Sequence, residues 1–388
     1  MAHFKMSDVV TEVNERENNP ANSKYDRFVG LEHYVSGEVI IRNYGSTERL
    51  ESTMKVFQAG DILVARRNVY LKRAATVDFD GLTSGDSIVL RAKDPKIGRI
   101  LPFVLNTDAF WDFADQYSDG TMSKRLSPKT LMTFEFDLPD GDELSKLADI
   151  LWAANNTRES YQALLKQADE LVKSQFIELF GDPITNSKSL PMKALSEVAS
   201  SRLGKMLDAK KQTGKYRYPY LANFNVQWFH FDFSTLNQMD FNEDDQVEFS
   251  LENGDLMVCE GGEVGRCAIW REEIEHCFFQ KAVHRVRCDT TQILPEYLAW
   301  WFKFHSSYNG FEDIIGSKST IAHLPGVKLK ALQIPVPNIE TQQVFVSFFE
   351  QLDKSKYVYR QLTLFLDHFI KYELQSLIME ECICSPKM

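Results

Sequence analysis

The 388-residue chain has no apolar run long enough to cross a membrane, and its opening residues, Met1-Ala2-His3-Phe4-Lys5, lack the apolar core of a secretory signal. A cytoplasmic protein with no membrane partner is expected. The six cysteines (Cys259, Cys267, Cys277, Cys288, Cys382, Cys384) form no C-x-x-C pair, and four lie in apolar, strand-like stretches. They read as reduced thiols rather than a metal site. Catalytic signatures are missing as well. There is no G-x-G-x-x-G after a strand, no G-x-S-x-G elbow, no H-E-x-x-H and no Asn-Pro-Pro-Tyr loop of the kind an adenine methyltransferase uses. Gly310 to Lys318 comes near a phosphate loop, but five residues separate its glycines where four are needed. The eight histidines are scattered. Each reads as a surface or satisfied core residue.

Glycine and proline are absent from two long stretches, Asp142 to Phe180 and Asn338 to Glu381. Turn signals bracket the first, Leu138-Pro139-Asp140-Gly141 before it and Gly181-Asp182-Pro183 after it. It therefore reads as one helix of about 58 Å at about 1.5 Å per residue. Apolar residues recur along it at heptad spacing through Leu144, Leu147, Leu151, Ala154, Tyr161, Leu165, Ala168, Val172 and Leu179, interrupted by Arg158 and Gln175. So narrow a seam needs a partner helix, and the chain repeats itself to supply one. A step of 198 residues takes Leu126 to Leu324, Phe136 to Ile334, Leu147 to Phe345, Leu151 to Phe349, Arg158 to Lys356, Tyr161 to Tyr359 and Leu179 to Leu377. A two-fold arrangement that buries both seams makes the helices antiparallel and brings the C-terminus back to the first domain.

What precedes each helix is an α+β domain. In Met1–Gly141, strand-like runs at Glu38–Ile41, Asp61–Val64 and Ser87–Leu90 alternate with turns at Gly30, Gly37, Gly45, Gly60 and Gly81, and a helix is expected around Leu101–Tyr117. Residues 182–337 follow the same plan. Ser7-Asp8-Val9 returns as Ser196-Glu197-Val198, Gly60-Asp61-Ile62 as Gly254-Asp255-Leu256, and Ile100-Leu101-Pro102 as Ile293-Leu294-Pro295. A composition of 44% hydrophobic and 12% aromatic residues suffices for two cores. The matched positions are apolar or turn residues. The unmatched ones are polar loop residues, where recognition is usually placed.

The net charge of −11 speaks mildly against nucleic acid, but it is a sum. Arg66, Arg67, Lys72 and Arg73 form an acid-free run interleaved with Tyr70. Arg202, Lys205, Lys210, Lys211, Lys215 and Arg217 surround a single Asp208, with Tyr216 adjoining. Either cluster is a candidate phosphate- and base-contacting loop or a solvated face. Ser317, Lys318, Ser319 and Thr320, after Gly316, are a third candidate, because glycine admits a close backbone and the hydroxyls and ammonium suit phosphate. On the helices, Arg158, Tyr161, Lys356 and Tyr359 are candidate partner contacts; for Arg158 and Lys356 a snorkelling side chain is the other reading.

With these features in order and in duplicate, the chain resembles the specificity (S, HsdS) subunit of type I restriction-modification enzymes. The carriers are Phe28-Val29-Gly30-Leu31-Glu32-His33, Tyr218-Pro219-Tyr220-Leu221, the paired Gly-Asp-Ile/Leu turns, and Ile334-Pro335-Val336-Pro337 leading through Glu340, Thr341, Gln342 and Gln343 into the second helix. The first copy, Phe136-Asp137-Leu138-Pro139, lacks the first of the two prolines. The resemblance implies target-recognition domains at 1–141 and 182–337, spacer helices at 142–181 and 338–381, and a tail at 382–388. It further implies a non-catalytic subunit that binds double-stranded DNA at a split site, two methyltransferase subunits and restriction subunits. S-adenosylmethionine, ATP and Mg2+ would sit on those partners, and the helix pair would set the number of unread base pairs. A self-contained nuclease or methylase, and a coiled-coil adaptor that does not bind DNA, are the rival readings.

Overall fold

The computed structural model describes residues 1–121, 123–208, 212–312 and 323–379. It divides into two compact units, Met1–Leu164 with Tyr359–Met388, and Leu165–Val358. Among the described residues no helix is long and apolar enough to cross a membrane.

The two units repeat one plan. The first holds a four-stranded antiparallel sheet in the order Val10–Glu12, Ser87–Ala92, Ile62–Ala65, Ala74–Thr76. In the second the order is Ala199–Leu203, Val283–Cys288, Leu256–Cys259, Cys267–Ile269. Each unit also pairs its opening strand with the strand that precedes a long helix: Ala2–Lys5 with Glu135–Leu138, and Met192–Ala194 with Gln333–Pro335. The remaining sheets differ. The first unit has five strands in the order Arg16–Glu17, Met54–Phe57, Gly81–Thr83, Arg27–Val29, Gly45–Ser46, and the second has three, Asn237–Asp240, Arg217–Leu221 and Phe278–Phe279.

The repeated Gly-Asp turn has a physical cause. Gly60 and Gly254 adopt φ of +89° and +95°, a region that strains any side chain. The aspartate that follows is buried, and it ties the turn to the neighbouring strand. Asp61 accepts from the Gln58 amide at 2.8 Å and takes both ends of the Arg91 guanidinium at 2.7 Å. Asp255 does the same with the Glu252 amide at 2.7 Å and Arg287 at 2.7 and 2.8 Å.

The long helices run over Gly141–Phe180 and Ile339–Met379, within one residue of their expected starts. In the first unit Leu144, Leu147, Ala148 and Leu151 join the domain core, and Ile370 packs on it. Tyr161 stacks on Tyr359 at 5.7 Å while Arg158 reaches Asp367 at 3.1 Å, so these two helix segments are antiparallel. In the second unit Val172, Phe176, Phe180 and Phe345 are buried together. Phe176 and Phe180, rather than Gln175 and Leu179, take the deepest positions, because here the helix packs on the domain as well: both rings meet Tyr297, at 5.7 and 4.7 Å.

Of the residues expected to interrupt the seam, Gln175 is half-buried, whereas Arg158 and its repeat counterpart Lys356 are buried cations held by acids. Arg158 is 7% exposed and bonds Glu38, Asp367 and Asn155. Lys356 is 6% exposed and pairs with Asp169. The step of 198 residues that carries Arg158 to Lys356 also carries Asp169 to Asp367. Neither cation snorkels to solvent.

Three local expectations change. Glu38–Ile41 forms a single bridge, Ile40 to Thr76, instead of a strand. Gly45 and Gly81 begin strands rather than turns. The helix expected over Leu101–Tyr117 is two, Leu101–Val104 and Asp108–Gln116, because the Thr107 hydroxyl accepts from the Phe110 amide and starts a new helix.

Asp61→Ala and Asp255→Ala should each lower the unfolding free energy by about 2–4 kcal/mol, as a backbone amide and a guanidinium lose their buried acceptor. Asp169→Ala, which strips Lys356 of its ion-pair partner, should cost about 2–3 kcal/mol. Asp367→Ala should cost about 1 kcal/mol, since Arg158 keeps Glu38. Guanidinium denaturation of the four variants checks the order.

Candidate nucleic-acid interface

In the first unit the chain leaves strand Ile62–Ala65 into a loop built around the short 3-10 turn Val69–Leu71, flanked by Asn68 and Lys72 at φ of 57° and 47°. The basic run does not act as one patch. Arg67 and Tyr70 are exposed, Tyr70 at 63%. Lys72 bonds the Asp108 carboxylate at 3.0 Å. Arg73 is turned inward, donating to the Leu31 carbonyl at 2.9 Å and the Arg67 carbonyl at 3.1 Å, and burial lowers its pKa. Arg66 is half-buried, with its backbone joined to Asp86 and Leu126. Lys72 and Arg73 thus hold the loop's shape, and Arg67 and Tyr70 are what it presents.

The structure also brings in side chains that the charge runs did not reveal. The loop Ser123–Arg125 lies against Arg67 and Asn68. Arg67 bridges Arg125, the Asn68 amide bonds the Lys124 carbonyl at 2.9 Å, and the Ser123 hydroxyl bonds the Asn68 side chain at 2.8 Å. Arg125 pairs with Asp86 at 2.5 Å, and Lys124 with Asp115 at 2.6 Å. The available signal is the repeat, whose first matched residue, Leu126, directly follows this loop.

In the second unit the cluster divides in the same way. Lys205 is internal, bonding the Asp240 carbonyl at 2.6 Å and the Asp245 carboxylate, with Phe241 beneath it. Arg202 pairs with Glu248 and lies over Phe249. Lys215 sits over Tyr216 at 4.9 Å, and Arg217, opening strand Arg217–Leu221, is exposed. The turn that displays them is fixed by Asp240, whose carboxylate accepts from the Thr213 hydroxyl and the Gly214 amide, each at 2.7 Å. These bonds, the Thr213 hydroxyl first, hold the Asp240 carboxyl below the usual carboxylate range. Lys210, Lys211, Ser317, Lys318, Ser319 and Thr320 lie outside the described residues.

Of the proposed partner contacts, Arg158 and Lys356 are committed to the buried pairs above, and Tyr161 and Tyr359 are half-buried against each other. Among the described residues no group of His, Cys, Asp and Glu is arranged to hold a metal ion. Cys259 and Cys277 are free thiols, pushed by burial up to about 11 and about 12, so they stay protonated near neutral pH.

Residues 189–361 match the family of the type I restriction modification DNA specificity domain. No curated protein matches the chain. Among solved structures it is similar to the type I restriction-modification S subunit from M. genitalium, at 15% identity over 100% of this chain and 96% of that one, with a TM-score of 0.61. It is also similar to a chain from a type I restriction-modification system studied for complex assembly and conformational transition, at 16% identity over 97% of each chain, with a TM-score of 0.52. At such identities the likeness speaks for the fold. Residues 189–361 thus resemble the type I restriction modification DNA specificity domain, and the chain as a whole shares the fold of solved type I S subunits.

Proposed function

We propose that this protein is the DNA-reading subunit of a type I restriction-modification complex, each unit reading one half of a split site in double-stranded DNA. The observation that carries the reading is the duplicated sheet with unlike loops: Arg67, Tyr70 and Arg125 on one unit, Lys215, Tyr216 and Arg217 on the other. Cationic side chains on rigid turns neutralise phosphates, and arginine addresses guanine edges in the major groove. Chemistry then belongs to partners, two methyltransferase subunits using S-adenosylmethionine and restriction subunits using ATP and Mg2+. Exposed apolar side chains on the helices suit those subunits: Leu364, Phe365 and Tyr372 in the first unit, Val344, Tyr357 and Val358 in the second.

Mapping methylated adenines in the host DNA should reveal a split motif that disappears when this chain is deleted; a map that does not change overturns the proposal. Replacing Lys215 and Arg217 together with Ala should weaken binding to duplex DNA and make its dependence on salt shallower by about one or two ions, with stability changed by less than about 0.5 kcal/mol. Lys205→Ala should instead cost about 1–3 kcal/mol of stability, because the Asp245 carboxylate and the Asp240 carbonyl lose their donor. Salt-titrated binding and thermal unfolding, run side by side, separate the two effects.

A further inference from the structure

The strand carrying the Gly-Asp turn ends in both units at the same backbone bridge, and the residues on that bridge differ in chemistry. In the first unit the Leu126 amide bonds the Arg66 carbonyl at 2.8 Å, and Arg67 bridges Arg125. In the second the Leu324 amide bonds the Glu260 carbonyl at 2.6 Å, and Gly261 bridges His323. Two arginines in one copy therefore stand where the other has glycine and histidine, on an otherwise common frame.

The first unit adds a device of its own. Asp86, in the turn before strand Ser87–Ala92, accepts from Arg125 Nη2 at 2.5 Å and lies 3.9 Å from Arg67 Nη1. Its backbone carbonyl holds the Arg66 amide at 2.9 Å, so the carboxylate is anchored to the loop it serves. Both guanidinium groups remain about half exposed, Arg67 at 51% and Arg125 at 48%. A guanidinium has five donors in a rigid fork, so one edge held by a carboxylate leaves another for a ligand. The neighbouring carboxylate decides which ligand. A phosphate would bring a second anion against Asp86, whereas the O6 and N7 acceptors of guanine are neutral and match the free edge.

We infer that Arg125, supported by Arg67, reads a guanine in the half-site of the first unit, and that Asp86 is the positioning residue that steers this arginine away from phosphate and onto the base. The inference rests on the DNA-reading function proposed above. At the matching point of the second unit the Gly261 and His323 bridge has no arginine fork, so the two halves differ there in what they read.

The test uses the full chain with its partner subunits, a duplex pool randomised over the site, and binding to mixed-sequence duplex across a range of salt. Arg125→Ala and Arg125→Lys should each reduce discrimination at one guanine of one half-site about tenfold or more, leaving the other half-site unchanged as an internal control of folding. Arg125→Lys keeps the charge, so its salt dependence should match the wild type. Asp86→Asn should tighten binding to mixed-sequence DNA, steepen its salt dependence by about one ion, and weaken the guanine preference. Retained guanine preference in Arg125→Ala or Arg125→Lys overturns the assignment, as does an Arg125→Ala loss that is uniform across sequences with a shallower salt dependence. An Asp86→Asn variant that binds like the wild type overturns the role of the carboxylate. A wild type that selects no sequence overturns the DNA-reading function itself, whereas a wild type and an Arg125→Ala variant that select the same split site overturn only the arginine.

Discussion

Burying a cation in a helix seam makes a demand that apolar packing does not. Leucines and phenylalanines in a seam accept a neighbour one heptad along at modest cost, but an ammonium or guanidinium out of water needs an anion at one particular place. Lys356 finds Asp169, and Arg158 finds Asp367 with Glu38. Because desolvation offsets much of the attraction in such pairs, the gain lies in register more than in stability. In the second unit that register is the one in which Phe345 meets Phe176 and Phe180, and in the first it sets Ile370 on the domain core.

The domains add a second fixed frame. Asp61 with Arg91, and Asp255 with Arg287, pin the turn that opens one strand to the central strand beside it from inside the fold. The loops beyond those strands can then differ in length and charge without disturbing the sheets. The same separation explains why each basic cluster contains two kinds of residue. Lys72, Arg73 and Lys205 shape the loops; Arg67, Lys215 and Arg217 are displayed by them.

Most of this architecture was legible in the sequence, because repetition and helix punctuation are one-dimensional signals. The step of 198 residues, the two stretches free of glycine and proline, and the Gly-Asp turns located both helices and the shared scaffold. Less was legible wherever a residue answers to two neighbours. Phe176 and Phe180 escaped the heptad count because they face a domain as well as a helix. Glu38–Ile41 has the composition of a strand, but only Ile40 finds a bridge partner. A run of charges carries no record of which side chains turn inward, so Arg73 and Lys205 looked the same as Arg67. Arg125 is illegible for the opposite reason, since it joins a cluster only when the fold brings its loop to Arg67.

The duplicated seam pairs bear on how such a chain changes over evolutionary time. Each half of the sequence encodes one buried cation and one acid, Arg158 with Asp169 in the first and Lys356 with Asp367 in the second. Recombination that exchanges whole halves between related genes therefore leaves every buried charge with a counterion, while the loops travel as intact cassettes. Drift confined to one half is different: losing Asp169 strands Lys356, encoded far away in the chain, and losing Asp367 leaves Arg158 with Glu38 alone. Selection should thus hold the four seam charges together as a set and leave the recognition loops free to diverge.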